Sequence, residues 1–365
     1  MDNFLFNSDS NGLNLIVKLP GQNCNIDCDY CFEIKKKGVG KKVVAPEDLR
    51  KVIENQEKKM TLTLHGGEPL MVGYGKFEEI LSVLADYYPE KITIIRLQTN
   101  GTLFNKKWAE ILFNKYNHLN IKIAVSLDGD IHHNKLRIDK KGSETYKSVI
   151  NCLSLLSQYK KEFGILSVIN RTTIKQPRKY IESLINLDGL KFIKLIPLFN
   201  IENGRLTSDS IKPTEFSSFV GELSRIYIEN NYFTQIPIEP LLSIIQRINE
   251  RESRYCNFQK SKCYNFITMY PENKFSPCDC FSYDDFKIEN DKGVSFINNI
   301  EQCSIEAQAR LKSLMDECNI CEIFDFCTGG CLANRFYLDE NAILKQDYCH
   351  SRKMLFNLAQ DFKIS

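Results

Sequence analysis

Fourteen cysteines stand among 365 residues, and they are unevenly placed. Cys24, Cys28 and Cys31 fall within the stretch CNIDCDYC, Cys152 stands alone, and the other ten lie between 256 and 349. Thiolates are soft ligands that suit zinc or iron–sulfur clusters. Three of them are one short of a closed tetrahedral zinc site, which would need a distant fourth ligand. Around a four-iron cluster, three thiolates leave one iron free to bind something else. The later cysteines read Cys263-x14-Cys278, then Cys318-x2-Cys321-x5-Cys327-x3-Cys331, then seventeen residues to Cys349. On spacing alone, that group suits either a pair of zinc sites or further clusters. Cys280 and Cys303 fit no spacing. Cys152 lies with Val149, Leu153 and Leu156 at helical intervals and reads as a core residue.

These residues need elements to hold them. Six short β-branched runs read as buried parallel strands: 13–20, 61–66, 92–98, 121–127, 164–170 and 190–198. A helical pattern follows each, over 45–59, 75–88, 106–116, 143–161, 178–187 and 212–230. Six βα units in succession predict a parallel α/β architecture, either an open sheet or an incomplete barrel. In such folds the loops after the strand ends carry function. That is where the first three cysteines fall, together with HGGEP (65–69), LQTNG (97–101), SLDG (126–129) and LIPL (195–198). After about residue 235 comes a turn and a helix over 237–255, and then short polar segments without long periodic elements. Metal ligation is expected to hold that region together. The loop KKKGVGKK (35–42) reads as a solvated surface, or as a mouth that attracts an anionic substrate.

The first cysteine motif, with aromatic Tyr30 before its last cysteine, resembles the signature of radical S-adenosylmethionine enzymes. HGGEP, LQTNG, SLDG and LIPL follow in that family's order. The resemblance covers about residues 10–235 and implies a partial (β/α)6 TIM barrel over 1–235. In that family, Cys24, Cys28 and Cys31 would hold a [4Fe–4S] cluster whose open iron chelates S-adenosylmethionine. The bound cofactor yields a 5′-deoxyadenosyl radical that takes a hydrogen atom from substrate. Tyr30, Gly66, Gly67, Glu68, Asn100, Ser126, Arg137 and Leu195 would surround the cofactor. The glycines would let backbone approach it, Glu68 would pair with its ammonium group, Arg137 would reach its carboxylate and Leu195 would flank its adenine. The segment HHNKLR departs from the family's usual wording, which places an aspartate after the histidine, where Asn134 stands.

The later cysteines resemble the SPASM extension found in peptide-modifying members of the family, expected here over 236–365. By that resemblance, Cys256, Cys263, Cys278 and Cys331 hold one auxiliary cluster. Cys318, Cys321, Cys327 and Cys349 hold a second, making three [4Fe–4S] clusters in all. Asn273 stands where the extension usually has glycine, and asparagine also tolerates left-handed backbone. Closed auxiliary clusters imply electron transfer, and so an oxidative reaction on a peptide or protein substrate with a small flavodoxin- or ferredoxin-type donor. Asp279, directly after Cys278, resembles the aspartate that sulfatase-maturing enzymes use as a base when they oxidise a peptide cysteine or serine to formylglycine. His65 stands where those enzymes typically have glutamine, a form common among maturases that crosslink ribosomally made peptides. The expected function is therefore side-chain crosslinking through a carbon–carbon or thioether bond, with formylglycine formation as the alternative. A non-enzymatic iron–sulfur protein is the distant third.

About twelve residues precede the first strand, so a winged-helix leader-binding domain is not expected. The net charge of +2 makes no case for nucleic acid or an anionic membrane. No apolar run approaches a bilayer span, and no signal-peptide order opens the chain, so a cytoplasmic protein is expected.

Overall fold

The structure, a computed structural model, describes residues 12–253, 255–259, 262–288 and 303–364. Residues 1–11, on which the expectation about a leader-binding domain bears, lie outside the described residues. The chain forms two compact units, each assembled from separate stretches. The first takes Met1–Ser126, Lys135–Gly164 and Cys263–Ala307, and the second takes Leu127–Asn134, Ile165–Lys262 and Gln308–Ser365. Neither unit ends at residue 235, where the sequence suggests a division.

The first unit is built on a mostly parallel sheet. β1 (Leu13–Lys18), β2 (Met60–His65), β3 (Ile92–Thr99) and β4 (Lys122–Ser126) lie side by side in sequence order. β1 and β2 run parallel, from Leu13 opposite Met60 to Lys18 opposite His65. β2 and β3, and β3 and β4, are also parallel. Every residue of β1 is buried, which matches a strand covered on both faces. The crossover helices are α1 (Pro46–Glu54), α2 (Tyr74–Ala85) and α3 (Lys106–Glu110), with α4 (Tyr146–Gln158) after β4. Pro46 stands where a missing N–H is harmless, and Leu49, Val52 and Ile53 are the buried stripe of α1. Cys152 is buried with Val149, Leu153 and Leu156 on α4, as its spacing predicts. The single helix expected over 106–116 is instead α3 followed by a π-helical turn, Ile111–Lys115.

Two strands of the first unit come from the cysteine-rich region. β10 (Phe266–Tyr270) pairs parallel with the free edge of β1, Asn14 to Val17 opposite Phe266 to Met269. β11 (Lys274–Ser276) returns antiparallel to β10. The turn between them takes Glu272 and Asn273 in left-handed backbone, the conformation anticipated for Asn273. A parallel arrangement puts the C-terminal ends of β1 to β4 at one edge. The cysteine loop, HGGEP, LQTNG and Ser126 all sit there.

The second unit holds most of β5 (Phe163–Ile169), β6 (Leu190–Pro197) and a short β9 (Ile238–Glu239), with a small hairpin, β7 (Ile201–Glu202) and β8 (Arg205–Leu206). Its helices are α5 (Pro177–Ile185), α6 (Pro213–Glu229) and α7 (Leu241–Ile248), followed by most of α9 (Ile305–Asn319) and by α10 (Phe324–Cys327), α11 (Leu332–Leu338) and α12 (Ala342–Gln360). α9 and α12 correct the expectation that no long element follows residue 255. α12 docks on α6, where Ser217 Oγ and Ser351 Oγ lie 2.7 Å apart and Thr214 bonds Asp347. α8 (Tyr283–Phe286) belongs to the first unit. Among the described residues, no helix is long and apolar enough to cross a membrane.

Candidate active site

The cysteine loop leaves β1 and is pinned by the turn after β2. Gly67 N–H donates to Gly21 O at 2.9 Å and Glu68 N–H to Asn23 O at 3.0 Å. A Cβ on Gly67 would stand 2.3 Å from Asn23 O, and one on Gly66, at φ +141°, would stand 2.4 Å from Pro20 Cδ. A side chain at either position would therefore collide with the cysteine loop, which packs directly on this turn. On its other side the loop is held by Asp27 N–H to Ile138 O and Asp29 N–H to Leu136 O. Arg137 Nη1 donates to the Tyr30 hydroxyl at 2.8 Å.

Cys24, Cys28 and Cys31 are partly exposed on this one loop. Asn100 Nδ2 reaches Cys24 Sγ at 3.7 Å and Asn25 Oδ1 at 3.0 Å. Glu68 organises this corner from beneath. Its carboxylate is fully enclosed and accepts from Leu70 N–H, Thr99 Oγ1 and Asn100 N–H at 3.0, 2.8 and 2.7 Å. Burial pushes its pKa up to about 7, against the pull of those hydrogen bonds. Three soft donors on one partly exposed loop, with an amide N–H aimed at one sulfur, fit a cluster held by three thiolates. Ser126 ends β4 half-buried. Leu195 is fully buried on β6, in the second unit.

A second set of side chains adjoins the end of β1. Lys18, with no exposed surface, donates to Glu33 Oε2 and to Asp279 Oδ2, both at 2.9 Å. Lys36 donates to the same Glu33 oxygen at 3.0 Å, to the Tyr270 hydroxyl at 3.1 Å and to the Asp279 carbonyl at 2.6 Å. Two cations thus balance two carboxylates. The lysine loop expected to be solvated is so only in part, since Lys36 and Val39 are buried. His65 Nδ1 lies 2.7 Å from Gly66 N, 3.0 Å from Gly66 O and 3.4 Å from Lys18 Nζ, and its Nε2 lies 3.9 Å from Asp279 Oδ2. Burial, reinforced by Lys18, lowers the His65 pKa to about 4, so the ring is neutral. Burial alone would raise the Asp279 carboxyl, but Lys18 beside it wins and holds it well below the usual carboxylate range. The exposed Phe32 ring lies 5.5 Å from Lys18 Nζ and 4.8 Å from Lys36 Nζ.

Sequence reasoning singled out His65 and Asp279 but missed Lys18, Glu33, Lys36 and Tyr270. One signal was available, a lysine inside an otherwise apolar strand.

Cys278, Asp279 and the exposed Cys280 present donor atoms within 4.8 Å of one another, and Cys263 engages Cys278 by its thiol. Cys256 and Cys331, which the resemblance assigns to the same cluster, belong to the second unit. The second set of four lies wholly in that unit. Cys318 is in the last turn of α9, Cys321 follows it, Cys327 closes α10 and Cys349 lies within α12. Thr328, Gly329 and Gly330 are three successive left-handed residues that turn the chain back beneath Cys318. A Cβ on Gly329 would lie 3.3 Å from Cys318 Sγ, and one on Gly330 would lie 2.3 Å from the Tyr348 hydroxyl. That hydroxyl accepts from Cys331 N–H at 2.8 Å. Two of the four thiols are buried, and arginine N–H groups point at two of the sulfurs. Such a donor set fits a second, closed cluster.

Comparison with known proteins bears on this arrangement. Residues 19–187 match the family described as Radical SAM superfamily. A cysteine-type anaerobic sulfatase-maturating enzyme of Clostridium novyi is 26% identical, over 94% of this chain and 94% of its own. A solved structure described as native anSMEcpe with bound AdoMet and Cp18Cys peptide has a TM-score of 0.79 at 25% identity, covering 96% of this chain and 97% of that one. SuiB of Streptococcus suis, solved with S-adenosylmethionine, shares the fold, with a TM-score of 0.59 at 16% identity over 89% of this chain and 74% of its own.

Proposed function

We propose that this chain, a radical S-adenosylmethionine enzyme, oxidises a cysteine or serine side chain of a peptide to the aldehyde formylglycine. The observation that carries this reading is the end-to-end similarity to sulfatase-maturating enzymes, 94% of each chain, which takes in the cysteine-rich C-terminal third. It reverses the order of preference drawn from the sequence, where His65 favoured crosslinking. Crosslinking stays as the second reading for one reason. His65, Glu33 and Lys18 give Asp279 surroundings in which one carboxylate oxygen is already engaged by Lys18.

On this reading residues 1–235 form the partial barrel and residues 236–365 the SPASM domain. Cys24, Cys28 and Cys31 hold the first cluster, and Tyr30, Glu68, Asn100, Ser126, Arg137 and Leu195 shape the cofactor site. When bound, the cluster and S-adenosylmethionine supply the radical that removes a hydrogen atom from the substrate carbon. Glu68 keeps Asn100 against Cys24, and Arg137 keeps Tyr30 in place. Asp279 faces the substrate as a carboxylate that Lys18 keeps charged. The same ion pair makes it a weak base, so a thiol of pKa about 8.5 hands over its proton only once hydrogen-atom loss has made that proton acidic. Cys256, Cys263, Cys278 and Cys331, and Cys318, Cys321, Cys327 and Cys349, would hold auxiliary clusters able to take up the electron that leaves with this oxidation, and a small external donor protein would supply electrons to the first cluster. With a cysteine substrate, water then replaces the sulfur, which leaves as hydrogen sulfide.

The test is anaerobic turnover of the reconstituted enzyme with S-adenosylmethionine, reductant, and cysteine- or serine-bearing peptides. Formation of 5′-deoxyadenosine with a hydrazide-trappable aldehyde on the peptide is expected. Loss of two hydrogens without an aldehyde would favour crosslinking, and no 5′-deoxyadenosine with any donor would sink both.

A further inference from the structure

Two arginines of the second unit are enclosed beside sulfur atoms. Arg352, three residues beyond Cys349 on α12, is 6% exposed. Its Nε donates to Cys327 Sγ at 3.3 Å, and its Nη2 donates to the carbonyls of Cys327 and Asn257, each at 3.3 Å. Its guanidinium carbon stands 4.0 Å from the centroid of the Phe258 ring. Among the described residues, no carboxylate lies within ion-pair distance of it. Arg335, on α11, is 5% exposed. Its Nη1 donates to Cys349 Sγ at 3.5 Å and its Nη2 to Leu314 O at 3.1 Å, while its Nε has no hydrogen-bond partner. The nearest carboxylate, Glu317, is 3.7 Å away and half exposed.

An enclosed guanidinium is costly unless anions face it; Arg335 has the long pair with half-exposed Glu317, and Arg352 has no carboxylate partner among the described residues. The anions at hand are the thiolates. Four thiolates outweigh the positive charge of a four-iron core, and one-electron reduction adds a further negative charge. Positive charge and N–H···S hydrogen bonds therefore favour the reduced state. We infer that Arg335 and Arg352 raise the reduction potential of the four-iron cluster that Cys318, Cys321, Cys327 and Cys349 would hold, acting through the sulfurs of Cys349 and Cys327. This makes the second auxiliary site a better electron acceptor than the same four thiolates without the arginines. The inference rests on the cluster assignment made above.

The test uses full-length enzyme carrying Cys24→Ala, Cys28→Ala and Cys31→Ala, so that only auxiliary clusters contribute. This protein is expected to bind about eight iron atoms per chain; no bound iron would end the cluster assignment and this inference together. With iron bound, midpoint potentials are read by EPR-monitored redox titration. Arg352→Met and Arg335→Met are each expected to lower one of the two midpoints by about 59 mV, a tenfold change in the reduction equilibrium. Arg352→Lys, which keeps charge but not the Nε hydrogen bond, should lower it less. Unchanged or raised midpoints at full iron content would overturn the inference. Should a methionine variant lose its iron, the parent labelled with 15N-arginine decides. Hyperfine coupling of guanidinium nitrogen to the reduced cluster is expected, and its absence overturns the inference.

Discussion

Lys18 illustrates what one residue's surroundings decide. Its partners Glu33 and Asp279 lie 15 and 261 residues further along the chain, so no local pattern announces them. What the sequence displays is a lysine ending an apolar run, and only the fold reveals that it is enclosed. The cysteines are the opposite case, because their spacing is itself the message. Replacing Lys18 by Met leaves Lys36 alone against two carboxylates. Stability should fall by about 3–5 kcal/mol, measured by anaerobic denaturant unfolding, and the double change Lys18→Met with Asp279→Asn should recover part of it. A single variant as stable as the parent would deny the network its organising role. His65 gives a pH signature. Above pH 6.5 neither folded nor unfolded chain protonates it. From there to about 4 only the unfolded chain takes up the proton, so stability falls as pH falls. The whole loss is on the order of 3 kcal/mol. Glu68 acts oppositely, since its raised pKa helps the folded state at low pH and that help fades as pH rises through 7. His65→Gln should therefore be less acid-sensitive than the parent between pH 6.5 and 4, with the Glu68 contribution common to both. Equal slopes would show that His65 protonates as easily in the folded protein.

At the scale of elements, the βα alternation was legible because each strand is a short apolar run and each early helix carries an aliphatic stripe. α12 was not. Its buried face reads Leu344, Tyr348, Ser351, Arg352, Leu355 and Ala359. The spacing is helical, but a serine, a tyrosine and an arginine stand where aliphatic residues would have marked it. β10 and β11 were missed because they are short, lie among cysteines and gain their stability from the edge of β1, far away in sequence. The glycines of HGGEP are visible in the sequence, but their packing on the cysteine loop is not, because Pro20 and Asn23 lie more than forty residues earlier in the chain. Gly67→Ala puts a Cβ against Asn23 O, and backbone cannot yield as a flexible side chain would. The reconstituted variant should lose about four iron atoms per chain and its 5′-deoxyadenosine production while keeping the auxiliary iron. Full iron content with parental cofactor cleavage would refute this account of the turn.

On the scale of the whole molecule, the first compact unit is discontinuous. It needs Cys263–Ala307 to complete its sheet, although the radical SAM match ends at residue 187. A chain cut after residue 235 would expose the edge of β1 that β10 covers and leave Lys18 without Asp279. Such a truncation should aggregate or stay partly unfolded, as judged by near-ultraviolet circular dichroism and sedimentation against the intact chain. A well-folded, soluble fragment would mean that the sheet tolerates a bare β1 edge.

The pairing of β10 with β1 also has a meaning in time. During synthesis, Cys24, Cys28 and Cys31 emerge more than two hundred residues ahead of Asp279. Until the later strand arrives, the nascent chain carries a bare strand edge, the kind of surface on which unfinished proteins join wrongly. The hairpin that brings the shielding strand ends just before Asp279, so the step that makes the newborn protein safe from its neighbours is also the step that gives buried Lys18 its second carboxylate.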